Sequence, residues 1–355
     1  MRRQPEPSGL AELTLSLVNI RSVSRQEHAL TAWIADQVAG LAGVRVLHRQ
    51  ADAIVFGHPG AVDVVLAGHS DTVPEQGNLP GRVAEGHVHG LGASDMKGSL
   101  AVMLALAGEL HGLRLRLNPL FVIFGREELP LAESVLEGLF TSCPSILESG
   151  LAVMMEPTAN RLEAGCLGNI KATLEFGGVA AHSARPWLGV NAIHEAVRGL
   201  SRVADSRPEE VVLGGLTFRE VLSVTEISGG IANNVIPDRV TCGLNFRYAG
   251  HRTPAQAAAR LRELVGTSGE LRIESNAPAA PVAAGNALLR RLQSAGGLSV
   301  EPKQAWTPVA EFAGRGLDAV NFGPGDPQLA HRRDERISVD AMADTLSILR
   351  RFLCS

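Results

Sequence analysis

The chain has 355 residues, 45% of them hydrophobic and 20% charged, which is enough apolar content for about two packed domains and too much for a disordered chain. Its 33 Lys and Arg stand against 37 Asp and Glu, and aromatics make up 4% with a single tyrosine. That leaves neither a basic surface for a phosphate backbone nor a stacking platform for bases. No apolar run reaches the roughly 18 residues of a membrane span, and the opening MRRQPEPSG has no apolar leader core. A cytoplasmic protein without nucleic-acid or membrane partners is expected, with Cys143, Cys166, Cys242 and Cys354 as reduced thiols.

In chain order, Leu10, Leu13 and Leu17 recur at helical spacing, and Ala61–Ala67 reads as a strand. Met96–Leu110 reads as a helix with Leu100, Met103, Leu104 and Ala107 on one face. Leu120–Phe124 is wholly apolar between Pro119 and Gly125, as expected of a central parallel strand, and Leu151–Met155 is similar. The middle differs. A half-exposed strand at Ile170–Phe176, a helix at Val190–Val203, strands at Val221–Ile227 and Val240–Phe246, a helix at Pro254–Val265 and a strand at Leu271–Glu274 give the order β-α-β-β-α-β. That is the ferredoxin-like α+β order. A strand at Ala319–Phe322 and a helix at Val339–Leu353 then resume the first pattern. The expectation is an α/β domain made of residues 1–167 and 278–355, carrying an inserted domain at 168–277.

Residues able to do chemistry follow the predicted α/β strands, where open sheets place ligands. They are His69 and Asp71 in GHSDTVP, Asp95 in GLGASDMKG, Glu127 and Glu128 in GREE, Glu156 in MEP, and His331 in GPGDPQLAH. Imidazoles and carboxylates together suit zinc and related divalent ions, and so many carboxylates in one pocket would repel severely without a cation. Singly, each has a plainer reading. Asp95 before a helix is most simply an N-cap, and a Glu-Glu pair is ordinarily a solvated loop.

The set HSDTVP, GLGASDMKG, REE, MEP and the late histidine resembles the M20 family of co-catalytic metallohydrolases. The resemblance implies a zinc-aminopeptidase-like catalytic domain, an inserted dimerisation domain and two Zn2+ per subunit, with Co2+ or Mn2+ as substitutes. It implies that His69 and Glu156 hold one ion, Glu128 and His331 the other, and Asp95 both. Glu127 would be the general base, and Asp71 would orient the His69 ring. In the insert, the resemblance implies that His182 stabilises the oxyanion across a homodimer interface, that Arg247 grips a substrate carboxylate, and that Asn233 and Asn234 touch substrate; Thr307, which opens the later stretch Thr307–Phe312, is a further expected substrate-binding residue. Glu163–Gly168, Ala181–Gly189 and Gly323–Arg336 resemble the actinobacterial desuccinylase branch. That implies a small acylated amino acid as substrate and cleavage of N-succinyl-LL-2,6-diaminopimelate, with acetylornithine-type deacetylases, aminoacylases and di- or tripeptidases as alternatives. The pattern departs at Cys166, where some desuccinylases carry Arg, and at Pro308 and Glu311, where related actinobacterial sequences carry Asp and Arg, and this bears on acyl specificity.

Overall fold

The apolar runs form the centre of a mixed eight-stranded sheet in the computed structural model, which describes residues 7–267 and 269–354. Its strands lie in the order Arg45–Gln50, Ala53–Gly57, Pro119–Phe124, Val64–His69, Ala152–Met154, Ala319–Asn321, Leu162–Ala164, Val300–Pro302. The four strands Pro119–Phe124, Val64–His69, Ala152–Met154 and Ala319–Asn321 run parallel. Every residue in them is buried, which is why they read as unbroken apolar runs rather than alternating ones. Because they share one direction, the loops after His69, Phe124, Met154 and Asn321 all leave the same edge of the sheet.

The helix Gly98–Glu109 is buried along most of its length and packs against Pro7–Val18 and Val339–Cys354. It lies so close to the sheet that a Cβ on Gly68 would meet Met96 Cε at 2.6 Å and Leu100 Cδ2 at 3.0 Å. The helix expected from Met96 begins only at Gly98, because Asp95 (φ -126°, ψ 89°) and Met96 (φ -135°, ψ 34°) are non-helical, and the bond between them is cis. Asp95 is therefore not the helix N-cap.

The chain divides into two compact units. The first comprises Met1–Ala164, Ala283–Glu301 and Glu311–Ser355, the second Gly165–Val282 and Pro302–Ala310. The second unit is an antiparallel sheet in the order Glu209–Leu213, Leu216–Gly229, Arg239–Tyr248, Gly168–Gly177, Glu270–Ala277. Alternating burial in Gly168–Gly177 and Arg239–Tyr248 gives it one apolar face, packed with the helices Ala192–Ala204 and Pro254–Val265. The first helix starts where Asn191 Oδ1 accepts the N–H groups of Ile193 and His194. The second starts at a reciprocal Thr253–Gln256 capping box.

The ferredoxin-like order is present, with two additions to the expected insert. Glu209–Leu213 is an extra edge strand, turned through Gly214 and Gly215, both at positive φ. The segment Pro302–Ala310, expected in the catalytic part, belongs to the second unit. Cys166 Sγ–H donates to the Thr307 carbonyl, Trp306 Nε1–H to the Pro278 carbonyl and the Arg219 N–H to Gln304 Oε1, which ties the segment there.

Candidate metal centre

His69 ends its strand fully buried, and its two ring nitrogens have different partners. Nε2–H donates to Asp95 Oδ1 at 3.0 Å, and Nδ1–H to the Asp71 carbonyl at 3.0 Å, with Asp71 Oδ1 further off at 3.5 Å. Asp71 was expected to orient the ring through its carboxylate. The backbone oxygen is the nearer acceptor, because the carboxylate has other work. Asp71 Oδ1 accepts the Glu127 N–H at 3.0 Å, and Oδ2 accepts the Glu128 N–H at 3.1 Å and the Ser24 O–H at 2.7 Å. Glu127 and Glu128 thus sit in a turn, not the extended loop their adjacency suggests. The turn enters through Arg126 at φ 63°, whose N–H donates to Glu27 Oε1.

Asp95 is the meeting point. Its Oδ1 faces His69 and its Oδ2 lies 3.4 Å from His331 Nε2. His331 Nε2 also approaches Glu128 Oε1 at 2.8 Å. Three overlapping sets of donor atoms each lie within 4.8 Å of one another: His69, Asp95 and Glu156; Asp95, Glu128 and His331; and His69, Glu127 and Glu128. All five expected ligands and Glu127 are therefore gathered in the first unit. Two imidazoles and several carboxylates on overlapping sets form a donor set that fits two neighbouring divalent ions sharing Asp95.

The electrostatics match so dense a cluster. Burial opposes protonation of His69, yet hydrogen bonds to Asp71 and Asp95 and the charge of Glu156 hold its pKa well above the ordinary value. Burial likewise opposes ionisation of Asp95, but His331 and His69 keep it well below the usual carboxylate range. The bonds to Asp95 and Glu128 lift His331 to about 10. Burial and the charges of Glu156, Glu128 and Asp95, against His69, raise Glu127 well above the ordinary carboxylate value.

Three residues escaped the sequence reading. Glu27 is 1% exposed and accepts the N–H groups of Arg25 and Arg126. Glu335, 2% exposed, accepts three N–H groups around Asp95. Lys97, also 2% exposed, donates to the Ile20 carbonyl, and burial lowers its pKa to about 7. No spacing rule marks them, because their partners at Arg126, around Asp95 and at Ile20 are brought to them by the fold. The Gly92 turn beside them has a local reason: φ is 75°, and a Cβ there would meet Thr72 Cγ2 at 2.7 Å.

In the second unit, His182 is exposed on a two-residue strand paired with Val235–Ile236, and its Nδ1 accepts the Ala184 N–H. The same pairing brings Asn234 near, its carbonyl accepting the Ser183 N–H; Asn233 and Asn234 are exposed. Arg247 is half-buried, its Nε–H donating to Asn245 Oδ1 at 2.9 Å. Thr307 is buried with an unpartnered Oγ1. Glu311, expected beside Pro308 at a pocket, lies in the first unit and accepts the Ser134 O–H at 2.7 Å. His58 and His89 are half-buried, each with a buried Nε2.

A profile of Peptidase family M20/M25/M40 matches residues 65–355. The chain belongs to that family. A relative from Mycobacterium tuberculosis, provisionally named succinyl-diaminopimelate desuccinylase, is 40% identical over 355 positions, covering 96% of this chain and 97% of its own. The succinyl-diaminopimelate desuccinylase of Corynebacterium glutamicum is 37% identical, covering 96% of this chain and 95% of its own. Among solved structures, the aminopeptidase PepT of Bacillus cereus superposes with a TM-score of 0.79 at 20% identity, covering 98% of each chain. That likeness is one of fold, and it extends over both units of this M20 chain.

Proposed function

We propose that this M20 chain is a dinuclear zinc amide hydrolase that cleaves N-succinyl-LL-2,6-diaminopimelate to succinate and LL-2,6-diaminopimelate. The observation that carries the chemistry is Asp95, whose two carboxylate oxygens face different imidazoles, Oδ1 toward His69 and Oδ2 toward His331. The substrate is supported by two relatives of that name at 40% and 37% identity over nearly the whole chain.

His69 and Glu156 would hold one ion, Glu128 and His331 the other, and Asp95 would be shared. When bound, such a pair polarises the scissile carbonyl and favours deprotonation of the attacking water. Glu127 takes the proton from that water as its oxygen adds to the amide carbon. It returns the proton to the amide nitrogen as the C–N bond breaks, so the amine leaves neutral. Asp71 holds the Glu127 turn by two N–H bonds and thereby sets where the base points. In the second unit, Arg247 offers a guanidinium fork for a substrate carboxylate, Asn233, Asn234 and Thr307 offer polar contacts, and His182 offers an N–H to the oxyanion.

Assembly and location belong to the same reading. A homodimer through the second unit is supported by exposed apolar residues there, with Val197 at 66%, Ile227 at 63% and Ile231 at 87% exposure. Among the described residues no helix is long and apolar enough to cross a membrane, and the proposed setting is the cytoplasm. The test is a comparison of succinate release from succinyl-diaminopimelate with acetate release from acetylornithine, using metal-loaded enzyme. Faster succinate release is expected; faster acetate release would replace the substrate while leaving the metal chemistry in place.

A further inference from the structure

Glu335 is one of the most buried carboxylates in the first unit, and nothing in the reaction uses it. It lies four residues after His331, where the chain turns into the strand Arg336–Ser338. Oε2 accepts the Gly92 N–H at 2.9 Å, while Oε1 accepts the Ser94 N–H at 2.9 Å and the Asp95 N–H at 3.0 Å. Its own carbonyl accepts the Gly90 N–H at 3.0 Å. One residue therefore satisfies four backbone donors of the turn that presents Asp95. Within the turn itself the Lys97 N–H donates to the Gly92 carbonyl at 2.7 Å and the Ala93 N–H to the Gly90 carbonyl at 3.1 Å, but Asp95 and Met96 are non-helical, and the Gly92, Ser94 and Asp95 N–H groups go to Glu335.

Resting on the metal-centre reading above, we infer that Glu335 is a positioning residue: it anchors the Gly92–Asp95 backbone so that the Asp95 carboxylate stands between His69 and His331 before any ion arrives. The alternative way to hold Asp95 would be the ions themselves, which would make the turn order on binding. A buried carboxylate is costly unless its lone pairs are filled, and here three N–H donors fill them. The same segment carries His331, whose Nε2 reaches Asp95 Oδ2 and Glu128 Oε1. Glu335 thus ties the shared carboxylate to the loop bearing one of its neighbouring ligands. Outer partners of this kind typically change metal affinity by about 10–100-fold when altered.

The experiment is Mn2+ titration of metal-free wild type, Glu335→Gln and Glu335→Asp, followed by electron paramagnetic resonance. Co2+ absorption spectra and melting of the metal-free proteins accompany it. Glu335→Gln keeps the size but presents an NH2 group to one of the N–H donors. Glu335→Asp keeps the charge but falls short by a methylene. Mn2+ binding weakened about tenfold or more, with an altered Co2+ spectrum, is expected for Glu335→Gln, and a smaller change for Glu335→Asp. A lower melting temperature with Mn2+ affinity within about twofold of wild type would mean a merely structural role and would overturn the inference. Amide hydrogen exchange of metal-free wild type decides the matter even if both variants fail to fold. Slow exchange at Gly92, Ser94 and Asp95 supports a preset turn, and exchange as fast as in an exposed loop refutes it. A wild-type chain that binds no Mn2+ would instead remove the metal-centre reading on which the inference rests.

Discussion

The Glu127 N–H donates to Asp71 Oδ1 at 3.0 Å, and the Glu128 N–H to Oδ2 of the same carboxylate at 3.1 Å. Asp71 therefore positions the proposed base and the adjacent proposed metal ligand through their backbone, not only the His69 ring beside it. Replacing it with Asn leaves one acceptor oxygen where two are needed and sets an NH2 group against an N–H. The expectation is a fall in kcat/KM and in metal affinity of about 10–100-fold each for Asp71→Asn. Steady-state kinetics beside metal titration checks both. A loss of activity with metal affinity intact would confine Asp71 to the base.

Glu127 is proposed as the base and its neighbour as a metal ligand, so the two should differ in phenotype. Glu127→Gln keeps the volume and the N–H to Asp71 but cannot take a proton. Metal content and melting temperature should stay near wild type while kcat falls by roughly 10²–10⁴. Metal analysis of the purified variant beside its turnover makes the distinction. Near-full turnover would exclude Glu127 as the base.

How much of this could be read from sequence depends on what kind of contact defines each residue. His69 and Glu156 were legible because their strands are buried on both faces and so appear as apolar runs ending in a polar residue. Asp95 could be located but is not the N-cap that its place before a helix suggests, since the helix begins at Gly98 and Lys97 takes the N-cap position. Glu27 and Glu335 were illegible, because any buried acid can accept an N–H and only the fold decides which one does. In the second unit, alternating burial made Gly168–Gly177 and Arg239–Tyr248 visible. The edge strand Glu209–Leu213 was not, as it is short and mostly exposed. Its one local signal was the Gly214-Gly215 pair between two apolar runs. Residues 302–310 carry no sequence mark of their unit at all, their place being set by contacts with Cys166, Pro278 and Arg219.

His331 Nε2 lies 3.4 Å from Asp95 and 2.8 Å from Glu128, whereas His69, Asp95 and Glu156 form a donor set without it. Its removal should divide the two proposed ions. His331→Ala is expected to lower metal stoichiometry toward one tightly held ion per chain, with the second weakened about tenfold or more. Calorimetric titration with Zn2+ under competition from a chelator reads both steps. Two unchanged steps would show that His331 is no ligand.

Glu311 permits a prediction on stability that is independent of metal. Burial raises its carboxyl from 4.5 to about 7, against the hydrogen bond from Ser134. Below about pH 4.5 both the folded and the unfolded chain keep the proton. Between that point and about pH 7 the unfolded chain has lost it while the folded chain still holds it. The folded state then binds more protons, so this residue's contribution to stability falls as pH rises through the window and is flat above it. The loss is on the order of 2 kcal/mol, given the partial exposure of the site. Glu311→Gln keeps an oxygen for the Ser134 O–H and cannot ionise. It should melt close to wild type at pH 5 and a few degrees higher at pH 8, as measured by thermal unfolding across a pH series. Glu311→Arg should instead lower the melting temperature at both pH values, because a larger, charged side chain would enter a largely buried site and lose the hydrogen bond from Ser134. Equal pH dependence in wild type and Glu311→Gln would show that Glu311 titrates alike in the folded and unfolded chain.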